Sequence, residues 1–194
     1  MGTDSLSSRF PIADQAFEAA FTHTVGIEGD FSDDPADSGG ATRFGITETV
    51  ARANGYHGDM RELPFERARA IYRAQYWDLL RLDDVARASV KVAAELFDTG
   101  VNRGTSVAAT YLQRALNALN DGGSRWPDVA VDGAIGPMTI FVLRELMIRR
   151  GREGETVLLA ALNALQGADY IRLAEQRPKD ERFVHGWLLN RVAL

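Results

Sequence analysis

Glu28, Asp37 and Thr42 stand nine and then five residues apart in the stretch EGDFSDDPADSGGATRFGIT, residues 28–47. An acid, a second carboxylate and a hydroxyl in so short a segment can move a proton and steer a water molecule. Projected along the helix that precedes it, Glu28 falls about 20° from both Phe17 and Phe21, so it prolongs their apolar stripe. It also falls in the expected last turn, where the helix dipole disfavours negative charge. Both effects favour the neutral carboxylic acid, the form a general acid needs near neutral pH. A last-turn glutamate can equally reach out to solvent. Asp37 follows the Asp34-Pro35 corner and precedes Gly39-Gly40, a polar loop setting that keeps it ionised. Two carboxyls whose surroundings push their proton affinities apart are what glycoside hydrolysis requires. The plainer alternatives are an Asx-turn role for Asp37 and an ordinary strand position for Thr42.

Other chemistries fit less well. Asp30, Asp33, Asp34 and Asp37 are crowded together, but a calcium loop counted from Asp30 would place Pro35 where Gly is required and Ala41 where Glu is required. There is no cysteine, which excludes disulfides, thiolate zinc sites and a Cys nucleophile. His23, His57 and His185 are scattered without ligand spacing, and no GxSxG elbow occurs. No metal and no organic cofactor is expected. Residues 1–100 hold 10 Lys+Arg and 17 Asp+Glu, whereas residues 101–194 hold 12 and 10. That balance lacks the basic footprint of a duplex-DNA binder, so no nucleic-acid partner is expected. No run approaches 18 apolar residues and the first 15 residues have no apolar core, so neither membrane insertion nor an export signal is expected.

The elements that must position these residues are mostly helical. Ala13, Ala16, Phe17, Ala20, Phe21, Thr24 and Val25 form one helix face, with Gly29 as its expected stop. Residues 30–47 read as an ordered loop with a short hairpin near 41–46. Helical patterns follow at 48–54, from Pro64 to Trp77, at 86–98 and at 105–120. Asp132-Gly133 marks a turn, Pro137 opens a helix to about residue 150, and further helices fit 155–176 and the segment around Trp187. Trp77, Trp126 and Trp187 are expected in the core rather than on a sugar. No Gly/Ser/Pro linker separates the halves, so they should pack as one body.

The motifs Glu28-Gly29, Asp34-Pro35-Ala36-Asp37, Gly39-Gly40-Ala41-Thr42 and Phe44-Gly45-Ile46-Thr47 resemble the signature of glycoside hydrolase family 108, lysozyme-like N-acetylmuramidases of phage and bacterial wall-lytic systems. That family usually reads Glu-Gly-Gly-Tyr at the start; here Asp30 adds a charge beside the acid while Phe31 keeps an aromatic ring. Tyr76-Trp77-Asp78 matches the usual end of the region, giving a catalytic part over residues 15–82. Residues 83–192 resemble the predicted peptidoglycan-binding domain commonly found behind it, through Glu95-Leu96-Phe97-Asp98, Val101-Asn102-Arg103-Gly104, the run Leu112–Asn117, and Val131–Pro137 with Thr139. The DG-x-x-G-P run within the last stretch is read as a turn and helix start rather than a ligand contact.

The resemblance implies a mainly α, lysozyme-like fold with a small loop and β-hairpin after the catalytic helix. It implies Glu28 as the catalytic acid, and the spacing of Glu28, Asp37 and Thr42 is similar to the Glu-Asp-Thr arrangement of phage-type lysozymes, which gives the last two as its partners. Phe31 and Tyr76 are expected saccharide contacts, and Asp98 and Asn102, four apart, either face the cleft as further contacts or form a helix C-cap pair. The implied activity is endolysin-type cleavage of the β-1,4 bond between N-acetylmuramic acid and N-acetylglucosamine in peptidoglycan glycan strands. The expected protein is monomeric, made in the cytoplasm and dependent on a holin-like breach to act on the wall from the periplasm. A lytic transglycosylase and a non-catalytic wall-binding protein of the same fold are the rival readings.

Overall fold

The computed structural model describes residues 12–26, 31–33 and 40–192. The chain is mainly helical, with a small sheet inserted after the first helix. Helix α1 (Ile12–Val25) buries Ala13, Ala16, Phe17, Ala20 and Phe21, the stripe that its spacing dictates. Gly26 ends it, taking φ +78 and donating its N–H to the Thr22 carbonyl at 3.1 Å. The helix therefore ends three residues before the expected stop at Gly29. Glu28 and Asp37 themselves lie outside the described residues.

Strands β1 (Phe31–Ser32), β2 (Thr42–Arg43) and β3 (Ile46–Thr47) form an antiparallel sheet in the order 1-2-3. Phe44 and Gly45 both have positive φ, as a two-residue hairpin turn between right-twisted strands demands. A Cβ on Gly45 would meet the Tyr72 hydroxyl at 2.5 Å, and that hydroxyl donates to the Phe44 carbonyl at 3.2 Å. The turn is thus pinned to the core and cannot carry a side chain at Gly45.

Helix α2 (Glu48–Ala53) starts at Thr47, whose hydroxyl accepts from the Val50 N–H. A short 3-10 turn (Met60–Glu62) leads to α3 (Phe65–Tyr72), which widens into a π-helical segment at Arg73–Asp78. That segment turns Trp77 fully inward, where its indole N–H donates to Asp83 at 2.6 Å. The helix expected at 86–98 is resolved as two, a short α4 (Leu82–Ala86) and α5 (Val90–Arg103). The break is set by Ser89, whose hydroxyl caps the Val92 N–H.

Helix α6 (Thr105–Ala118) packs on α5, and α7 (Pro137–Gln176) packs on both. Gly151, at φ +52 and ψ −135, divides α7 into the two arms anticipated from the sequence. Helix α8 (Glu181–Arg191) closes the chain against α7. Three side-chain bonds tie the second arm of α7 to α5: Ser89 to Glu155, Gln166 to Thr99, and Arg103 to Asp169. Between α6 and α7 the chain has no regular element, yet it is held by three amides, two on α6 and one just past its end. Gln113 bonds Asp132, Gly133 and Ala134, Asn117 bonds Val129 through both its atoms, and Asn120 bonds Asp128 and Gly123. The Asp132-Gly133 turn and the start of α7 at Pro137 are therefore structural, as expected. No helix among the described residues is long and apolar enough to cross a membrane.

Candidate functional site

The described residues bracket the chemical segment on three sides: Gly26 at the end of α1, Phe31–Asp33 in and after β1, and Gly40 before β2. Thr42 lies opposite Ser32 in the sheet, half-buried, with its hydroxyl 3.4 Å from the Gly40 carbonyl to which it donates. Its oxygen lone pairs stay available on a strand whose position is fixed by the pinned turn at Gly45. Phe31 is exposed on the edge strand, with the Arg61 guanidinium 5.0 Å from its ring centre, and lines a hollow with Asp33 and Arg61.

Tyr76 lies on the π-helical segment, stacked on Tyr72 at 5.5 Å and edge-on to Phe97 at 6.5 Å. Burial pushes its phenol above the ordinary range. Its ring is part of an aromatic wall rather than an open platform. Asp98 and Asn102 do meet, four residues apart on α5, but the Asn102 amide donates to the Asp98 main-chain carbonyl at 2.8 Å. The Asp98 carboxylate is taken by Arg191 of α8 at 2.9 Å.

A groove of about 740 Å³ opens where the end of α1 meets α5, the second arm of α7 and the end of α8. Its polar lining includes His23, Lys91, Glu95, Asp98, Asn163 and Arg191, and Ala94, Leu159, Ala160 and Leu189 give it apolar walls. That mixture of a few polar groups on an apolar wall suits a small organic ligand or a sugar. The groove takes in Asp98 but not Phe31, Thr42, Tyr76 or Asn102. A larger hollow of about 1160 Å³ runs along the outer face of α1, where Arg69 holds Glu18.

Glu95 is the groove residue that sequence reasoning passed over, quoting it within a motif without giving it a role. Burial, reinforced by the Asp98 charge, pushes its carboxyl up to about 7. Its Oε1 is fully enclosed and has no hydrogen-bond partner among the described residues. The available signal was the spacing: Glu95 and Asp98 are three apart and so share one face of a helix that buries Val92, Ala93, Leu96 and Phe97. Asp169 was also missed. It is 8% exposed and clasped by Arg103 and Arg172. Burial alone would push its carboxyl up, but hydrogen bonds from Arg172 and Arg103 outweigh that and hold it below the usual range.

Comparison with known proteins follows this geometry closely. Residues 21–104, from α1 through α5, match the family model described as Glycosyl hydrolase 108, and residues 107–192, from α6 through α8, match that described as Predicted Peptidoglycan domain. Among solved structures, the chain is similar to the one titled "Structure of Brucella abortus SagA", at 24% identity and a TM-score of 0.56, covering 93% of this chain and 98% of that one. No curated protein matches the sequence. The chain thus belongs, in its first half, to glycosyl hydrolase family 108, with a peptidoglycan domain behind it on a mainly α, lysozyme-like fold. It is a glycoside hydrolase directed at peptidoglycan. The groove described above is walled by helices of both matched regions.

Proposed function

We propose that the protein is an N-acetylmuramidase that hydrolyses the β-1,4 bond between N-acetylmuramic acid and N-acetylglucosamine. The observation that carries this reading is the family match over residues 21–104, which encloses the whole Glu28–Thr47 motif, combined with a groove that begins beside the end of α1. Glu28 protonates the leaving glycosidic oxygen. Asp37 stabilises positive charge at the anomeric carbon or activates water, and Thr42, fixed on β2, helps to hold that water. In this reading Asp37 acts on the face of the sugar opposite Glu28, with a water between it and the anomeric carbon, and the product forms with inverted configuration.

The test is Glu28→Gln in the full chain. An amide has nearly the same shape but cannot donate the catalytic proton, so wall clearing should drop by about 10²–10⁴-fold while the thermal transition is kept. Digests analysed by liquid chromatography and mass spectrometry should show ordinary reducing ends at muramic acid, released first as the α anomer. Near-normal clearing by the variant overturns the assignment of Glu28. Products with 1,6-anhydro ends would make the enzyme a lytic transglycosylase, and binding without any product would make it a wall-binding protein.

A further inference from the structure

We propose that Glu95 reads the acetamido group of an N-acetylhexosamine in the groove, its protonated carboxyl donating a hydrogen bond to the acetamide oxygen. This rests on the reading of the protein as a glycan hydrolase and names one contact within it. A protonated carboxyl carries an O–H donor, and the acetamide carbonyl, which points away from its own N–H, offers the acceptor.

Three observations converge on this role. Glu95 lines the groove, and its Oε1 is enclosed with no partner among the described residues. An enclosed oxygen left unpaired disfavours the charged form of the carboxyl, which keeps a proton for donation to a ligand in the groove. Second, the neighbouring carboxylate is already committed, because Arg191 reaches Asp98 from α8 at 2.9 Å and so does not neutralise Glu95. Third, Ala94, Leu159 and Ala160 supply an apolar wall against which an acetyl methyl can pack. The carboxyl, held up at about 7 by burial and by Asp98, is neutral in weakly acidic solution and becomes charged in weakly alkaline solution. The titratable and charged groups around it are His23 from α1, Lys91 and Asp98 from its own helix, Glu155 and Tyr170 from α7, and Arg191 from α8.

The experiment is isothermal titration of the full chain carrying Glu28→Gln with chitotetraose and with cellotetraose, which share a β-1,4 backbone and differ in the acetamide. Chitotetraose should bind at about pH 5.5, weaken about tenfold or more by about pH 8.5, and exceed cellotetraose by a similar factor. Glu95→Gln, which keeps one donor and one acceptor, should bind chitotetraose with less than about a threefold difference between the two pH values. Glu95→Leu should lose the preference for chitotetraose over cellotetraose. Equal binding of the two sugars, a pH dependence that survives in Glu95→Gln and so belongs to His23 or another group, or no binding of either sugar overturns the proposal. If Glu95→Leu does not fold, the Glu95→Gln titrations decide alone. Wall hydrolysis by the unmodified protein is a separate readout: its absence removes the muramidase reading while the chitotetraose result stands by itself.

Discussion

The two matched regions are held together by different physics. From α1 to α5 the core is a cluster of rings: Phe17 packs on Trp77 and Phe97 at 5.3 and 6.0 Å, Phe21 on Tyr72 at 5.4 Å, and Phe44 on Phe65 at 5.4 Å. Around those rings lie two-residue strands, a turn with two positive φ angles and a π-helical segment. From α6 onward the core is led by an aliphatic seam of Leu112, Leu116, Leu143, Leu146, Leu158 and Leu162, with fewer rings (Tyr111 and Trp126 beside it), and the irregular stretch between α6 and α7 is fastened by amides. The contrast shows how a small sheet of six residues can be positioned at all. Large rings supply much buried area from few positions, so short elements can be fixed without long strands. Long regular helices can instead be built from ordinary leucines, with polar clamps reserved for the connection.

Removing α5 should have the largest effect on this contrast, because Phe97 of α5 touches Phe17, Tyr72, Tyr76 and Trp77. A fragment ending at Trp77 should therefore show no cooperative thermal transition by circular dichroism and no wall clearing. A cooperative melt with activity would mean that the ring cluster is self-sufficient. Within the full chain, Phe97→Ala should cost about 3–5 kcal/mol in urea unfolding, as truncation of a buried aromatic does. A loss below about 1 kcal/mol would show that the rings are merely adjacent and do not support one another.

A smaller effect comes from pH at the junction of the two regions. Glu95 titrates at about 7 in the fold, against 4.5 for its ordinary value. The folded state therefore binds this proton more tightly than the unfolded state. Its contribution to stability is fully present below about pH 4.5 and is lost as pH rises through 7, by about 3 kcal/mol. Glu95→Gln should flatten the dependence of stability on pH across that window. An unchanged pH profile in the variant would place the titration elsewhere. Smallest is Gln113→Leu, which removes a buried amide from Asp132, Gly133 and Ala134 and should cost about 1–2 kcal/mol. Hydrogen exchange should then speed up at residues 129–134 while the ring cluster stays protected; equal loosening of both would erase the distinction drawn above.

The sequence carried local information well. Pro137 opens α7, Gly151 falls in the gap left between two helical patterns, and the Phe44-Gly45 turn lies inside the expected hairpin. Its errors are also local in origin. Two glycines, Gly26 and Gly29, can each end α1, and periodicity alone cannot rank them; Ser89, a strong cap, was read through because Ala86 and Ala88 continue an apolar pattern. The groove was illegible for another reason. Arg191 meets Asp98 across 93 residues of chain, and nothing near Glu95 announces that α7 and α8 will enclose it. Nor does any residue type in Arg73–Asp78 foretell a π-helical segment, which arises from docking Trp77 against Asp83. The placement of Glu28 and Asp37 rests on motif and family; of the three residues first singled out, Thr42 is the one whose surroundings are described.

The three bonds between α5 and the second arm of α7 have a consequence for how this protein can vary. Ser89 meets Glu155, Thr99 meets Gln166 and Arg103 meets Asp169, at separations of 66, 67 and 66 residues. A constant separation means that the two helices run side by side in the same direction, with matched rise, like two rulers aligned at the same mark. One residue inserted in either ruler rotates everything beyond it by about 100°, and the later pairs lose their alignment together. The same residue added between Asp121 and Val131 moves neither ruler. Length variation in natural or engineered relatives of this chain is therefore channelled into that connection, while α5 and the second arm of α7 keep their count.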